Sequence, residues 1–363
     1  MLRKPNLVLA ITSGLLIMLG FIIITGVSMT FSHKLSGTSF KFLIHQVIYG
    51  FIPGLILGTI AYFIDLKLVK KLSFFIIIGV VILMTLIFVP GLGTKLGGAR
   101  RWINLGPIAI QPSEFLKLGL IIYFAAWLSA KRKKGEFKKL FLPMIIILGI
   151  VSMLLLAQPD MSTLVVIAAV ALIMYFCSGT PLWQTGTMIL GGLVGLGILI
   201  KMAPYRLNRL LVFLNPNAQP LGMGYQLKQA LIAVGSGGII GTGLGLSIQK
   251  YGFLPEPMTD SIFAVYAEET GFIGCLILLS LYLIFVWQAL RISQSLKDGF
   301  LKLLVIGITS WIIIQTFVNI GAIIGILPLT GIPLPFISYG SSHLVVELVA
   351  LGLLLNISKK AKI

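Results

Sequence analysis

Ten acidic residues stand among 363, few enough to weigh one at a time. Asp65, Glu136 and Asp298 lie among lysines and arginines in short polar connections, where ordinary solvation accounts for them. The other seven, Glu114, Asp160, Glu256, Asp260, Glu268, Glu269 and Glu347, fall within or beside long apolar runs. An ionised side chain at membrane depth costs about 2.5–3.5 kcal/mol on insertion scales, so each is either half of a buried ion pair or there for chemistry. Glu114 and Lys117, three apart, share a helix face, as do His343 and Glu347, four apart. His343 reads as a hydrogen-bonded packing partner and not as a metal ligand. In Leu254-Pro255-Glu256-Pro257-Met258-Thr259-Asp260-Ser261 two prolines stiffen the approach to a helix that starts beside Asp260. Glu268 follows two turns on, about 12 Å deeper on a similar face, which makes a polar track into the apolar part of the chain. Arg100-Arg101-Trp102 sets two guanidiniums beside an indole, a set suited to a phosphate-bearing lipid, and for Trp102 alone equally to an interfacial anchor. Arg206 and Arg209 form one clamp if their segment is helical. Neither HExxH nor CxxC spacing occurs, and Gly241-Thr242-Gly243-Leu244-Gly245 is no phosphate loop because no strand precedes it. Cys177 and Cys275, far apart in apolar runs, read as packing residues.

The elements that must position these groups are membrane helices. The chain is 58% hydrophobic and only 10% charged, with mean hydropathy +1.06, whereas a soluble domain is about a quarter charged. The net charge of +18 falls in short clusters between uncharged runs, the membrane pattern, and this sets nucleic acid aside. Ten apolar stretches meet the length a span needs: about 7–28, 42–64, 73–90, 112–130, 141–157, 160–178, 184–202, 261–290, 303–326 and 343–357. The first is too long for a signal-peptide core of roughly 7–15 residues and reads as a retained span. Placing the N-terminus inside puts the densest basic clusters, among them Lys131-Arg132-Lys133-Lys134 and Lys359-Lys360, on the cytoplasmic side. The expectation is an all-α polytopic membrane protein forming a single domain over 1–363. It has ten spans, both termini cytoplasmic, and one large outer loop, 203–260, between the seventh and eighth. Gln229–Gln249 is uncharged, but a crossing there would reverse the basic asymmetry downstream. Its glycines suit a segment that dips in and returns.

Taken together, several blocks resemble the SEDS family (FtsW, RodA, SpoVE). They are Gly98-Ala99-Arg100-Arg101-Trp102, Gln111-Pro112-Ser113-Glu114, Gln158-Pro159-Asp160, Tyr205-Arg206-Leu207-Asn208-Arg209 with Asn215-Pro216, and Gly224-Tyr225-Gln226. Leu254-Pro255-Glu256-Pro257 through Asp260, Glu268-Glu269-Thr270-Gly271 and Pro333-Leu334-Pro335-Phe336-Ile337-Ser338-Tyr339-Gly340 continue the series in order, so that the resemblance runs from about residue 5 to 358. The stretch Gly243–Lys250 together with the Leu-Pro-Glu-Pro block is closer to the division branch, FtsW, than to the elongation branch. Met258 stands where the family often has His, which puts a contact near Asp260 in doubt. Ser341 and His343 interrupt the usual Gly-Gly-Ser-Ser, which touches helix packing.

The resemblance implies a ten-span peptidoglycan glycosyltransferase of the bacterial cytoplasmic membrane that polymerises lipid II into β-1,4-linked glycan on the outer face, for septal synthesis in cell division. It implies Asp260 as the catalytic base, with Arg100, Arg101, Trp102, Arg206, Arg209 and Glu256 around the substrate. Glu114, Lys117, Asp160, Glu268 and Glu269 would line the cavity and set its field. A donor already linked to pyrophosphate carries its own activation, so no ATP site is expected. A divalent cation (Mg or Mn) could share the pyrophosphate charge, although no ligand set demands one. The implied partners are a class B penicillin-binding protein, other division proteins and the bilayer. The competing classes are the elongation-type polymerase that shapes the cell, a lipid II flippase, and a scaffold that only positions a partner. A flippase needs a polar path to the inner face and a scaffold does not need Asp260.

Overall fold

The structure is a computed structural model that describes residues 4–36, 40–96, 99–106, 108–130, 138–216 and 222–361. The basic run Lys131–Lys134 and Glu136 lie outside the described residues. All ten apolar stretches are helical. They are α1 (Leu7–Ser36), a bent pair α2 (Lys41–Gln46) and α3 (Ile52–Phe63) joined through a π-turn at Val47–Phe51, and α4 (Leu66–Leu86). After these come α5 (Pro112–Leu128), α6 (Lys138–Ala157), α7 (Met161–Cys177) and α8 (Leu182–Lys201). Eight helical segments among the described residues are long and apolar enough to cross a membrane, which makes this a multi-pass membrane protein; α5 and α7, at 17 residues each, are shorter.

Side chains set several starts. Pro112 occupies the first turn of α5, where a missing N–H costs nothing. Asp65 caps α4 through the Lys67 amide and Asp160 caps α7 through Thr163. Asp65 is exposed, in keeping with the solvation expected of it, and its oxygen also serves as one of the helix's missing acceptors.

Two departures from the expected all-α design lie on the loops. Three short strands, β1 (Gly93–Leu96), β2 (Ala99–Leu105) and β3 (Ile108–Ile110), form an antiparallel sheet in the order β1-β2-β3. Its strands are too short to show an alternating pattern in sequence. The loop 203–260 carries α9 (Pro204–Leu214) and α10 (Met223–Ser236).

The last three helices, α11 (Ile262–Ser295), α12 (Gly299–Ile323) and α13 (Ser341–Ser358), complete the chain, with α12 and α13 forming the buried centre. Small residues let α3 and α13 approach closely: a Cβ at Gly58 would lie 2.6 Å from the Leu348 carbonyl, and one at Gly352 would meet the Gly58 carbonyl.

Helix α11 is broken at Gly271 (φ 65, ψ −165). Residues 238–243, in the loop before it, supply what the break leaves unpaired. Thr242 and Gly243 donate to the Glu268 and Glu269 carbonyls (2.9 and 3.1 Å), while Phe272 and Ile273 donate to Gly238 and Ile239 (2.9 and 3.1 Å). Irregular backbone at this depth is tolerated only where protein satisfies it. The ψ of Gly271 belongs to a region open only to glycine, and a Cβ there would lie 2.7 Å from the Ile239 carbonyl carbon. Gly271→Ala is therefore expected to cost at least about 2 kcal/mol, whereas Gly149→Ala, which meets open space, should be neutral. Thermal unfolding in detergent checks this, and equal midpoints for the two variants would refute the pairing as a stabilising contact.

Candidate active site

Asp260 sits one residue before the N-cap of α11, at the end of a loop folded on itself by the Thr259 and Ser261 amides, which both donate to the Glu256 carbonyl (3.3 and 3.1 Å). The loop between α12 and α13 holds it from the other side. Asn319 Nδ2 on α12 donates both to the Asp260 carbonyl (2.9 Å) and to the Ile332 carbonyl (2.8 Å). Ser338 Oγ donates to the Thr259 carbonyl (2.6 Å) and the Tyr339 amide to the Met258 carbonyl (2.8 Å). Gly331 presses against the carboxyl, since a Cβ there would lie 3.3 Å from Asp260 Oδ2. Gln226 on α10 reaches Ser261 Oγ (3.2 Å). The carboxyl is thus fixed through backbone contacts from three separate parts of the chain.

Its surroundings are charged but unpaired. Burial pushes the Asp260 carboxyl up to about 7, Glu256 pushes the same way, Arg209 and Arg101 oppose, and Asp160 adds a smaller upward push. Burial likewise lowers Arg209 from the usual guanidinium range, with Arg101 adding to it, while Tyr205, Asp260 and Asp160 favour its charge. Five groups therefore share one field: Arg101, Asp160, Arg209, Glu256 and Asp260. Arg101 extends from β2, its Nε donating to the Gln158 carbonyl (3.1 Å) and its Nη2 to the Pro159 carbonyl. That ties the sheet to the turn bearing Asp160, whose Oδ1 caps α7 and whose buried Oδ2 has no hydrogen-bond partner among the described residues. Glu256 is exposed, with Oε2 accepting from Thr259 Oγ1 (2.9 Å).

The remaining sequence candidates divide. Arg206 does lie on the helix that carries Arg209, but it is turned away: Nη1 donates to the Leu199 carbonyl (2.8 Å) and Nε to Tyr205 Oη (2.9 Å). Arg100 is exposed and Trp102 half-buried on β2. Glu114 and Lys117 pair at 2.7 Å deep in the bundle, where Lys117 also donates to Gln315 Oε1 (2.8 Å) and lies 5.1 Å from the Trp311 ring. Glu268 accepts from Ser247 Oγ and from the amides of Ile248 (3.0 Å) and Gln249 (3.4 Å), and Glu269 pairs with Lys250 at 2.9 Å. These two glutamates brace the stretch 247–250. Asn319, Gln315 and Gly331 were missed; the signal available for the first two was an amide side chain inside an apolar span, where it must find a partner.

A carboxyl raised by burial holds its proton in the folded chain at pH values where the unfolded chain has lost it. Its contribution therefore falls as pH rises from the ordinary carboxylate range near 3.8 to about 7, and is flat above. The thermal midpoint of Asp260→Asn minus that of the wild type should grow between pH 4 and 7. A difference that stays constant over that window would place the carboxyl in water.

The sequence profile of the FtsW/RodA/SpoVE cell cycle protein family matches residues 6–363. Stage V sporulation protein E of Bacillus subtilis (strain 168) is 38% identical over 364 residues, covering 99% of this chain and 98% of its own. The probable peptidoglycan glycosyltransferase FtsW of Idiomarina loihiensis is 39% identical over 357 residues, covering 96% and 85%. Among solved structures, a chain of a peptidoglycan synthase complex, described for its coordination of polymerization and crosslinking, superposes with TM-score 0.79 at 26% identity and 98% coverage of both chains. The rod shape determining protein RodA of Thermus thermophilus superposes with TM-score 0.72 at 25% identity, covering 99% and 98%. The chain belongs to the FtsW/RodA/SpoVE (SEDS) family.

Proposed function

We propose that the protein is a peptidoglycan glycosyltransferase that polymerises lipid II into β-1,4-linked glycan, with Asp260 as its base. The observation that carries this is a carboxyl held by backbone contacts, pushed up to about 7, and faced by two guanidiniums that do not neutralise it. In this reading all ten apolar helices cross the bacterial cytoplasmic membrane. Both termini are cytoplasmic, 203–260 is the outer loop, and the site faces outward. The likeness to FtsW and sporulation relatives supports membership, and the Gly243–Lys250 block favours septal synthesis; the elongation role is the second reading, favoured by the RodA superposition. The chain of the peptidoglycan synthase complex supports a class B penicillin-binding protein as partner, alongside other division proteins.

The GlcNAc 4-hydroxyl of the acceptor lipid II attacks the MurNAc anomeric carbon of the donor. The new C–O bond forms as the bond to undecaprenyl pyrophosphate breaks, and inversion gives the β link. Asp260 accepts the hydroxyl proton; a base titrating near the working pH combines the correct protonation state with driving force. Arg209 and Arg101 face the charge that develops on the departing pyrophosphate and, being fixed beforehand, need no reorganisation as it appears. Arg100, Trp102, Arg206 and Glu256 form the outer rim of the substrate site. Glu114, Lys117, Asp160, Glu268 and Glu269 hold the walls.

A divalent cation (Mg or Mn) would be held by Asp160, whose buried Oδ2 has no hydrogen-bond partner among the described residues. Such ions are held by one or two carboxylates plus substrate phosphates. The ion would add charge neutralisation at the leaving group.

Polymerisation by the purified protein with its cognate transpeptidase tests the assignment. Asp260→Asn should lower the rate by about 10²- to 10⁴-fold, and an unchanged rate would remove Asp260 as base. The acid limb of the pH–rate profile should lie near 7 and move lower in Glu256→Gln, which removes the charge that raises it. Arg209→Ala should slow turnover at least roughly tenfold more than Arg206→Ala. The reverse order would mean that the guanidinium turned toward α8 swings back to bind substrate.

A further inference from the structure

Glu347 has no part in that mechanism, yet its side chain is fully buried (0% exposed). It stands on α13, one turn beyond His343, and its Oε2 accepts the backbone amide of Phe336 at 2.8 Å. His343 Nε2 lies 3.6 Å from the same oxygen, while Nδ1 meets the Gly340 carbonyl at 3.2 Å. The pair therefore touches the loop 333–340 at two points. Phe336 has φ +64, a conformation that L side chains rarely adopt and that persists only where the surroundings hold it.

This loop is a strap with two edges. Along one edge the spans grip it: Gln315 Nε2 binds the Pro333 carbonyl (2.9 Å), Tyr282 Oη the Pro335 carbonyl, and Glu347 the Phe336 amide. Along the other edge it grips the residues that lead to Asp260, with Ser338 Oγ on the Thr259 carbonyl and the Tyr339 amide on the Met258 carbonyl. The same Ser338 Oγ accepts the Leu334 amide (2.8 Å), so the strained turn at Phe336 is closed by the hydroxyl that reaches Thr259.

We propose that Glu347 is a positioning residue for Asp260, acting through the Phe336 turn and the Ser338–Thr259 contact. The inference rests on the reading of Asp260 as base. A backbone N–H at this depth has no water to turn to, so an apolar side chain at 347 would leave it bare and release the turn. A glutamine would keep the acceptor. When the turn relaxes, Ser338 withdraws from Thr259, water reaches Asp260, and the base loses the desolvation that tunes it.

The experiment measures lipid II polymerisation by the purified protein with its transpeptidase, as kcat, KM and a pH profile, for wild type, Glu347→Leu, Glu347→Gln, Ser338→Ala and Asp260→Asn. Glu347→Leu should lower kcat by roughly tenfold, the equivalent of one lost hydrogen bond, with KM within about twofold, and its acid limb should move below that of the wild type. Glu347→Gln should stay within about threefold in kcat with the limb in place. Ser338→Ala cuts the next link without touching Glu347 and should move the limb the same way, which keeps the test decisive if Glu347→Leu folds poorly. A wild-type kcat and limb in Glu347→Leu, while Asp260→Asn is inactive, would overturn the inference. So would a loss of amplitude with the limb unmoved in both Glu347→Leu and Ser338→Ala, because that is how a mere loss of folded protein behaves. A fully active Asp260→Asn would instead bring down the base assignment, and this inference with it.

Discussion

The organisation of this protein follows from one constraint: a desolvated carboxyl at the edge of an apolar bundle needs irregular backbone around it, and every N–H and C=O of that backbone must be paired without water. Asn319 meets the constraint most economically. A single amide group on a regular helix binds the carbonyl of Asp260 and that of Ile332, so two loops distant in sequence are held to one rigid element. The break in α11 meets it in another way, by lending its four unpaired groups to a segment folded back from the loop before it. Helix, strap and the stretch 238–243 are mutually dependent, because each supplies hydrogen-bond partners that another requires.

The same constraint sorts the buried charges. Glu114 with Lys117 and Glu269 with Lys250 form ion pairs at 2.7 and 2.9 Å, and Glu268 is wrapped in amide and hydroxyl donors. Removing one partner from such a pair leaves an uncompensated buried charge, so these groups fix geometry and are ill suited to exchanging protons. Asp260 is different. Its contacts run through its backbone carbonyl, and its carboxyl is left to the competing fields of Glu256, Arg209 and Arg101. For the proposed reaction, a carboxylate locked to arginine would be a weak base, and one in water would be weaker than that reaction needs. Desolvation without neutralisation lies between the two.

Much of the fold was legible in the sequence, because apolar runs of spanning length are long-range signals that no local context overrides; each of the ten stretches is a helix. The sheet of β1, β2 and β3 was not legible. Its strands are three to seven residues long and carry arginines and a glycine, so neither periodicity nor propensity marks them. In the site, Asp260 and Asp160 stood out as charges where charges are costly, and Arg101 and Arg209 as cations suited to a phosphate group. That Arg206 faces away while Arg209 faces in could not be read from spacing, since both lie on one face of α9 and the difference arises from the carbonyl of Leu199 left open at the end of α8. Asn319 was hidden for another reason: its role is to bind backbone, and backbone carbonyls have no signature in a sequence.

The Arg101 contacts show why the unforeseen sheet matters to chemistry. A strand holds a side chain at a fixed height and direction, and β2 uses that to lay Arg101 across the carbonyls of Gln158 and Pro159, the turn that ends in Asp160. A guanidinium has five donors, and two of its nitrogens are engaged here in holding a turn. A lysine at the same place could not hold the turn and present charge at once. Arg101 therefore joins the sheet to the start of α7 and also contributes to the field on Asp260. The position of the positive charge is thereby set by the fold before any substrate arrives.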